Sequence, residues 1–247
     1  VLHHPAKAKR VVQLFMSGAA SHVDLWDYKP ELEKHHGKPS SFGEYVEVFQ
    51  NGLGPWLKSP WSWKQYGNCG KHLSEITAPM GDVVDEVAFV HNMVGKTGVH
   101  SQATLLQATG FQVPGFPGMG AWISYGLGSM NDNLPTFVVM TSSDKGKTCG
   151  QLFFDYYWGS GFLPSRFQGV RFRNTGDLVP YLANPAGVSP EGRRALLDDI
   201  RDLNGARLAE TGDPEIETRI SQYEMAFRMQ SSVPDLVDFS KESAKSL

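Results

Sequence analysis

The chain has 247 residues, of which 40% are hydrophobic and 20% charged, which fits one large α/β domain, or one domain and an appendage. A net charge of −3, with no basic run, excludes the electrostatic footprint of a nucleic-acid binder, and no apolar run reaches the roughly 18 residues of a membrane span. The 26 glycines and 15 prolines break up the apolar residues, a loop-rich and enzyme-like composition rather than that of a helical bundle.

The first organising stretch is Val11–Asp27, VVQLFMSGAASHVDLWD. A basic lead-in, residues 3–10, runs straight into Val11–Met16, whose short β-branched and aromatic run predicts a buried strand. Small residues, Ser17–Ala20, allow a tight turn. Ser21, His22, Asp24 and Asp27 then follow. Polar residues delivered past the carboxyl end of a strand are the usual site architecture of open α/β sheets, so the candidate centre is placed there. The alternative stays open that Asp27 caps the next helix and His22 is a surface loop residue. That helix is predicted over Lys29–Gly37, with Pro30 in its first turn and Gly37 as its stop. His35 and His36 point about 100° apart on a helix and read as surface residues.

Ser41–Trp63 carries Trp56, Trp61 and Trp63 without a period and reads as an excursion packed on the body, a sugar-binding aromatic patch being the alternative. Leu73, Ile76, Met80 and Val84 recur at helical spacing, predicting a helix over Leu73–Val84. Val87–Val90 predicts a second buried strand ending in His91 and Asn92. Ser101–Thr109 is a short helix stopped by Gly110, which sets His100 and Ser101 at a helix N-terminus. Free N–H groups and the helix dipole hold an anion there, unless these residues merely cap.

Met119–Leu127 predicts another helix and Thr136–Met140 a third buried strand. Thr141–Phe167 has no period, and Gly169–Arg173 is a candidate short strand. Ser189 and Asp213, each followed by Pro, open two long helices running to about Glu210 and Gln230, paired antiparallel across Gly212. The three predicted strands are expected as neighbours in one mostly parallel sheet, because helical segments separate them. Cys69 and Cys149 form no CxxC pair, and both pairing and free thiols stay open. The chain has no dinucleotide-binding glycine fingerprint, no phosphate-binding glycine loop and no nucleophile elbow.

VVQLFMSGAASHVDLWDYKPEL, HSQATLLQATG, GMGAWISYGLGSMNDNLPTFVVMTS, SGFLPSRFQGVRFR and TGDPEIETRISQYEMAFRMQSSVPDLVD together resemble the domain of unknown function 1501 family, over nearly the whole chain. Members are exported bacterial proteins, often with a twin-arginine signal, and are grouped with the alkaline phosphatase and sulfatase superfamily. The resemblance implies one alkaline-phosphatase-like α/β domain over residues 1–247, with a mostly parallel sheet, helices on its faces and a metal-dependent site at the strand ends. It also implies periplasmic or otherwise exported localisation. Members are usually longer, so this chain is expected to be the N-terminal portion of a longer protein, any export signal lying upstream.

His100–Gly110 resembles the sulfatase helix that opens C/S-x-P-S-R and closes Leu-Thr-Gly, but the Cys, Pro and Arg are missing, so no formylglycine forms. Ser17 stands where phosphatases carry a metal-binding Asp. The expected function is hydrolysis of phosphate or sulfate esters. His22, Asp24 and Asp27 would be ligands of a divalent metal (Zn, Mn, Mg or Ca), and His100 and Ser101 the catalytic residues. The competing expectation is a non-catalytic exported module binding a glycan through Trp56–Trp63. Neither expectation involves nucleic acid or a membrane span.

Overall fold

The computed structural model describes residues 5, 7–16, 19–41, 53–141, 154–173 and 176–244. The chain divides into two compact units, Val1–Val94 and Gly95–Leu247.

In the first unit, α1 (His22–Leu25) is a single turn opened by Ser21, whose hydroxyl donates to Asp24 Oδ2 at 2.7 Å. Helix α2 (Pro30–His35) begins on a proline whose fixed φ suits the first helical position, and it ends at His36 and Gly37. Gly37 N–H donates to the Trp56 carbonyl and Trp56 N–H to the Lys38 carbonyl, both at 2.9 Å, forming an antiparallel bridge at Pro39 and Pro55.

Strands β1 (Trp63–Tyr66) and β2 (Lys71–Ser74) form an antiparallel hairpin with Trp63 opposite Ser74 and Tyr66 opposite Lys71. Its turn uses Gly67 and Gly70 at φ of +66° and +65°, left-handed backbone that glycine adopts without strain. Asp85 closes the turn from outside: its two carboxylate oxygens accept from Asn68 N–H and Cys69 N–H, each at 2.9 Å. A 3-10 helix, Glu75–Asp82, follows β2. Leu73, Ser74 and Val84 are fully buried, and the Thr77 hydroxyl donates to the Leu25 carbonyl at 2.6 Å, fastening that helix to the end of α1.

The second unit contains α3 (His100–Thr109) and α4 (Met119–Leu127), closed by Gly110 and Gly128 at positive φ. Strands β3 (Val138–Met140) and β4 (Val170–Phe172) pair in parallel, Val138 opposite Val170. Helices α5 (Pro190–Thr211) and α6 (Pro214–Val237) form a hairpin. Ser189 Oγ accepts from Gly192 N–H, and an Asp213 carboxylate oxygen accepts from Glu215 N–H, so both predicted caps are made. Arg194 of α5 donates to both carboxylate oxygens of Glu224 on α6, at 2.9 and 2.6 Å, and to Asp198 at 2.9 Å. Phe172, Met229 and Val233 form a buried cluster, with Leu134, Val170, Leu178 and Met225 packed on it, and this joins β4 to α6.

Several expectations are corrected. Val11–Met16 forms no strand and is exposed, with Leu14 at 85%. An apolar run becomes a strand only where a neighbouring strand takes its backbone N–H and C=O groups; among the described residues no strand pairs with this run, and the Met16 carbonyl accepts from Ala19 N–H in a local turn at 3.1 Å. Val87–Val90 likewise belongs to no strand. Of the three predicted strands, only Thr136–Met140 contributes one, shortened to Val138–Met140. Its described partner is β4, the strand predicted within Gly169–Arg173. The architecture is therefore mixed helix with small sheets. The helix predicted over Leu73–Val84 is instead the end of β2 followed by 3-10 turns; Pro79, inside the run, cannot donate to a helical ladder. Helices α2 to α6 form where expected, α6 continuing beyond Gln230 to Val237. Ser17, Gly18, Cys149, residues 42–52 of the Trp-containing excursion and residues 142–153 of the aperiodic stretch lie outside the described residues. Among the described residues no helix is long and apolar enough to cross a membrane.

Candidate functional site

In the first unit, the backbone turns sharply after α1. The N–H groups of Trp26 and Asp27 both donate to the His22 carbonyl, at 3.1 and 3.0 Å, which folds Asp27 back beside His22. Tyr28 then stacks on His72 of β2, with ring centroids 4.8 Å apart, and leans on Trp63 of β1 at 5.3 Å. This aromatic contact pins the segment around Asp27 to the hairpin. The Asp27 side chain is 9% exposed. A buried carboxylate needs partners, and Asp27 has three. Lys29 Nζ lies 2.9 Å from Oδ2, His91 Nδ1 lies 3.4 Å from Oδ1, and His22 Nε2 lies 3.8 Å from Oδ2.

The cluster extends one residue further. Lys71, the first residue of β2, places Nζ 2.6 Å from His91 Nε2 and 4.3 Å from the centroid of Phe89, whose ring stacks with that of His91. Because Nδ1 of His91 faces a carboxylate and Nε2 faces an ammonium, the ring proton belongs on Nδ1 and the Nε2 lone pair accepts from Lys71. Burial pushes the Lys71 amine below its ordinary value; Asp27 acts in the opposite sense.

The predicted residues fall as follows. Asp27 is not a helix cap: Lys29 stands at that position of α2 and no side chain caps it, while the carboxylate of Asp27 is committed to the cluster. His22 joins the cluster at its exposed side. Asp24 accepts from Ser21 within its own turn. Among the described residues, no three His, Cys, Asp or Glu side chains converge on a point that would hold a metal. His100 and Ser101 open α3 in the second unit, behind Val99, as the sequence predicts; the His100 carbonyl accepts from the Thr104 hydroxyl. Lys29 and Lys71 are the members that sequence reasoning missed. His91 had been singled out only as the polar end of an apolar run.

The family model described as "Protein of unknown function (DUF1501)" matches residues 8–247. No curated protein and no solved structure matches the chain. With the match covering nearly every residue, the chain belongs to the DUF1501 family.

Proposed function

We propose that the chain is an exported hydrolase of phosphate or sulfate esters, a member of the alkaline phosphatase and sulfatase superfamily. One observation carries this reading: the buried carboxylate of Asp27 is ringed by Lys29, His22 and His91, with Lys71 beyond. Two ammonium groups and two imidazoles around one carboxylate suit an anionic ester. His22, exposed beside Asp27, is the group that takes a proton from the water whose oxygen bonds to phosphorus or sulfur and returns it to the alkoxide that leaves as the ester P–O or S–O bond breaks, so the products are the alcohol and the inorganic oxyanion. His100 (nucleophile, general base or anion binder) and Ser101 open α3 of the other unit and stay proposed on the resemblance alone, and His100→Ala and Ser101→Ala test them separately from the Asp27 cluster.

The residues around Asp27 do not fit a resident divalent metal as they stand. Lys29 Nζ occupies the position beside Asp27 Oδ2 that a cation would take, and the free imidazole lone pair of His91 accepts from Lys71. The contribution of a metal is decided by assaying the chain against p-nitrophenyl phosphate and p-nitrophenyl sulfate, with and without Zn, Mn, Mg or Ca. Turnover that disappears in Asp27→Asn supports the reading; absence of turnover under every condition overturns it.

One feature favours the binding-module alternative. An open apolar cleft of about 570 Å³ lies between α3 and α4, lined by Leu106, Met119, Trp122, Ile123 and Leu127. Quenching of tryptophan fluorescence by a glycan, lost in Trp122→Ala, in a chain without turnover would select that alternative.

A further inference from the structure

We infer that Lys71, presented by His91, is the residue that holds the charged oxygens of a tetrahedral oxyanion, phosphate or sulfate, at this site. The inference rests on the hydrolase reading above and names the positioning residue on the substrate's anionic group.

Asp27 is a single carboxylate serving two ammonium groups, and Lys29 already sits on one of its oxygens at 2.9 Å. Lys71 reaches that carboxylate only through the imidazole of His91. The two lysines and Asp27 therefore leave a surplus positive charge on Lys71. Lys71 is partly buried, and among the described residues no carboxylate stands in ion-pair contact with it, so an oxyanion supplies the missing counter-charge.

Hydrogen bonding gives the same result. An ammonium has three donors. One goes to His91 Nε2, and the ring of Phe89 lies against the ammonium at 4.3 Å from its centroid, leaving donor capacity for a ligand oxygen. Rigidity is the third element. Lys71 is fixed at the start of β2 by its pairing with Tyr66, and His91 is held between Asp27 and the Phe89 ring, so the ammonium is positioned before the ligand arrives. Lys34, by contrast, is an exposed lysine paired with Glu31 on its own helix.

The test uses the purified 247-residue chain and inorganic phosphate, with sulfate as a second arm and chloride holding ionic strength constant. Lysines are acetylated briefly and quantified by mass spectrometry, and affinity is measured by calorimetry. Saturating oxyanion should protect Lys71 severalfold relative to Lys34. Lys71→Met, which keeps the aliphatic stem on Phe89, should weaken binding by about tenfold or more, the loss of a charge-assisted hydrogen bond, and Lys71→Arg should restore most of it. Protection by only one of the two oxyanions identifies the ester class.

Equal acetylation of Lys71 with and without both oxyanions overturns the inference, and needs no variant to fold. Unchanged affinity in a folded Lys71→Met chain also overturns it. The hydrolase reading fails separately. Protection and binding without ester turnover would leave Lys71 as an oxyanion site in a non-catalytic chain. Turnover whose KM is unchanged in Lys71→Met would leave the hydrolase standing and remove Lys71 from it.

Discussion

Of the two glycines in the hairpin that carries Lys71, Gly67 alone has no room for a side chain, and replacing it gives a sharp test of the structure. Gly67 stands at φ +66°, and a Cβ added there would lie 2.5 Å from Asp85 Oδ1 and 2.5 Å from Val84 Cγ1. Two costs follow from Gly67→Ala. Holding alanine in left-handed backbone costs about 1 kcal/mol after allowing for the stiffer unfolded chain. Val84 is 2% exposed and cannot swing into solvent, so overpacking adds about 1–3 kcal/mol. The expected total is about 2–4 kcal/mol. Gly70 supplies the control: its φ is +65°, but the nearest atom to an added Cβ is Gln65 Nε2 at 3.8 Å. Gly70→Ala should therefore cost only the backbone part, about 1 kcal/mol. Urea titration of both variants measures the difference, expected as a midpoint shift on the order of 1 M larger for Gly67→Ala. Hydrogen exchange over β1 and β2 localises the loss. Equal midpoints for the two variants would refute the placement of Asp85 and Val84 beneath the turn.

Three further outcomes are expected. The Asn68 N–H, with the side chain and N–H of Cys69, holds Asp85 below the usual carboxylate range, so its contribution is fully present above about pH 4 and is lost as pH falls through the lower folded value; exchange protection of the turn should show that acid step, and Asp85→Asn should remove it. Ser189→Ala and Asp213→Ala should each lower the stability of the α5–α6 hairpin by about 1 kcal/mol in thermal melts, Asp213→Ala the more because it also removes a negative charge from a helix N-terminus. Gly161 stands at φ +56° with the backbone of Phe116 and Pro117 against the place a Cβ would take, so Gly161→Ala should destabilise the second unit by several kcal/mol in urea, and a silent substitution would contradict that close approach.

Legibility in the sequence followed the range of the forces involved. Helices α3 to α6 were readable because their signals are local: Gly110 and Gly212 stop them, Ser189 and Asp213 start them, and Pro190 and Pro214 sit where proline is tolerated. Val11–Met16 was misread because apolarity states a preference for burial without naming a neighbour. β1 and β2 were missed for the opposite reason. WKQY and KHLS carry no clean apolar alternation, and the hairpin rests on Gly67, Gly70 and a carboxylate from Asp85, sixteen or seventeen residues further on. At the candidate site, Asp27 was visible as an acid after an apolar run. Lys29 and Lys71 were not, because a lysine drawn onto a buried carboxylate has the same local sequence signature as a solvated one.

The α5–α6 hairpin also bears on the order in which the second unit assembles. Its helices are joined by Gly212 and Asp213 alone, so bringing them together closes almost no loop, and such local contacts form within microseconds to milliseconds. Other contacts of the same unit span far more chain: the Ser165 hydroxyl donates to Glu215 across fifty residues, at 2.8 Å. A nascent chain emerging from its N-terminus would thus release β3 and β4 before the helix that covers Phe172 exists. Until α6 is made, Phe172 of β4 stands without Met229 and Val233, its partners in the buried cluster. That interval is when the polypeptide is most open to self-association, and a folding catalyst or holdase acting on this chain would find its target there.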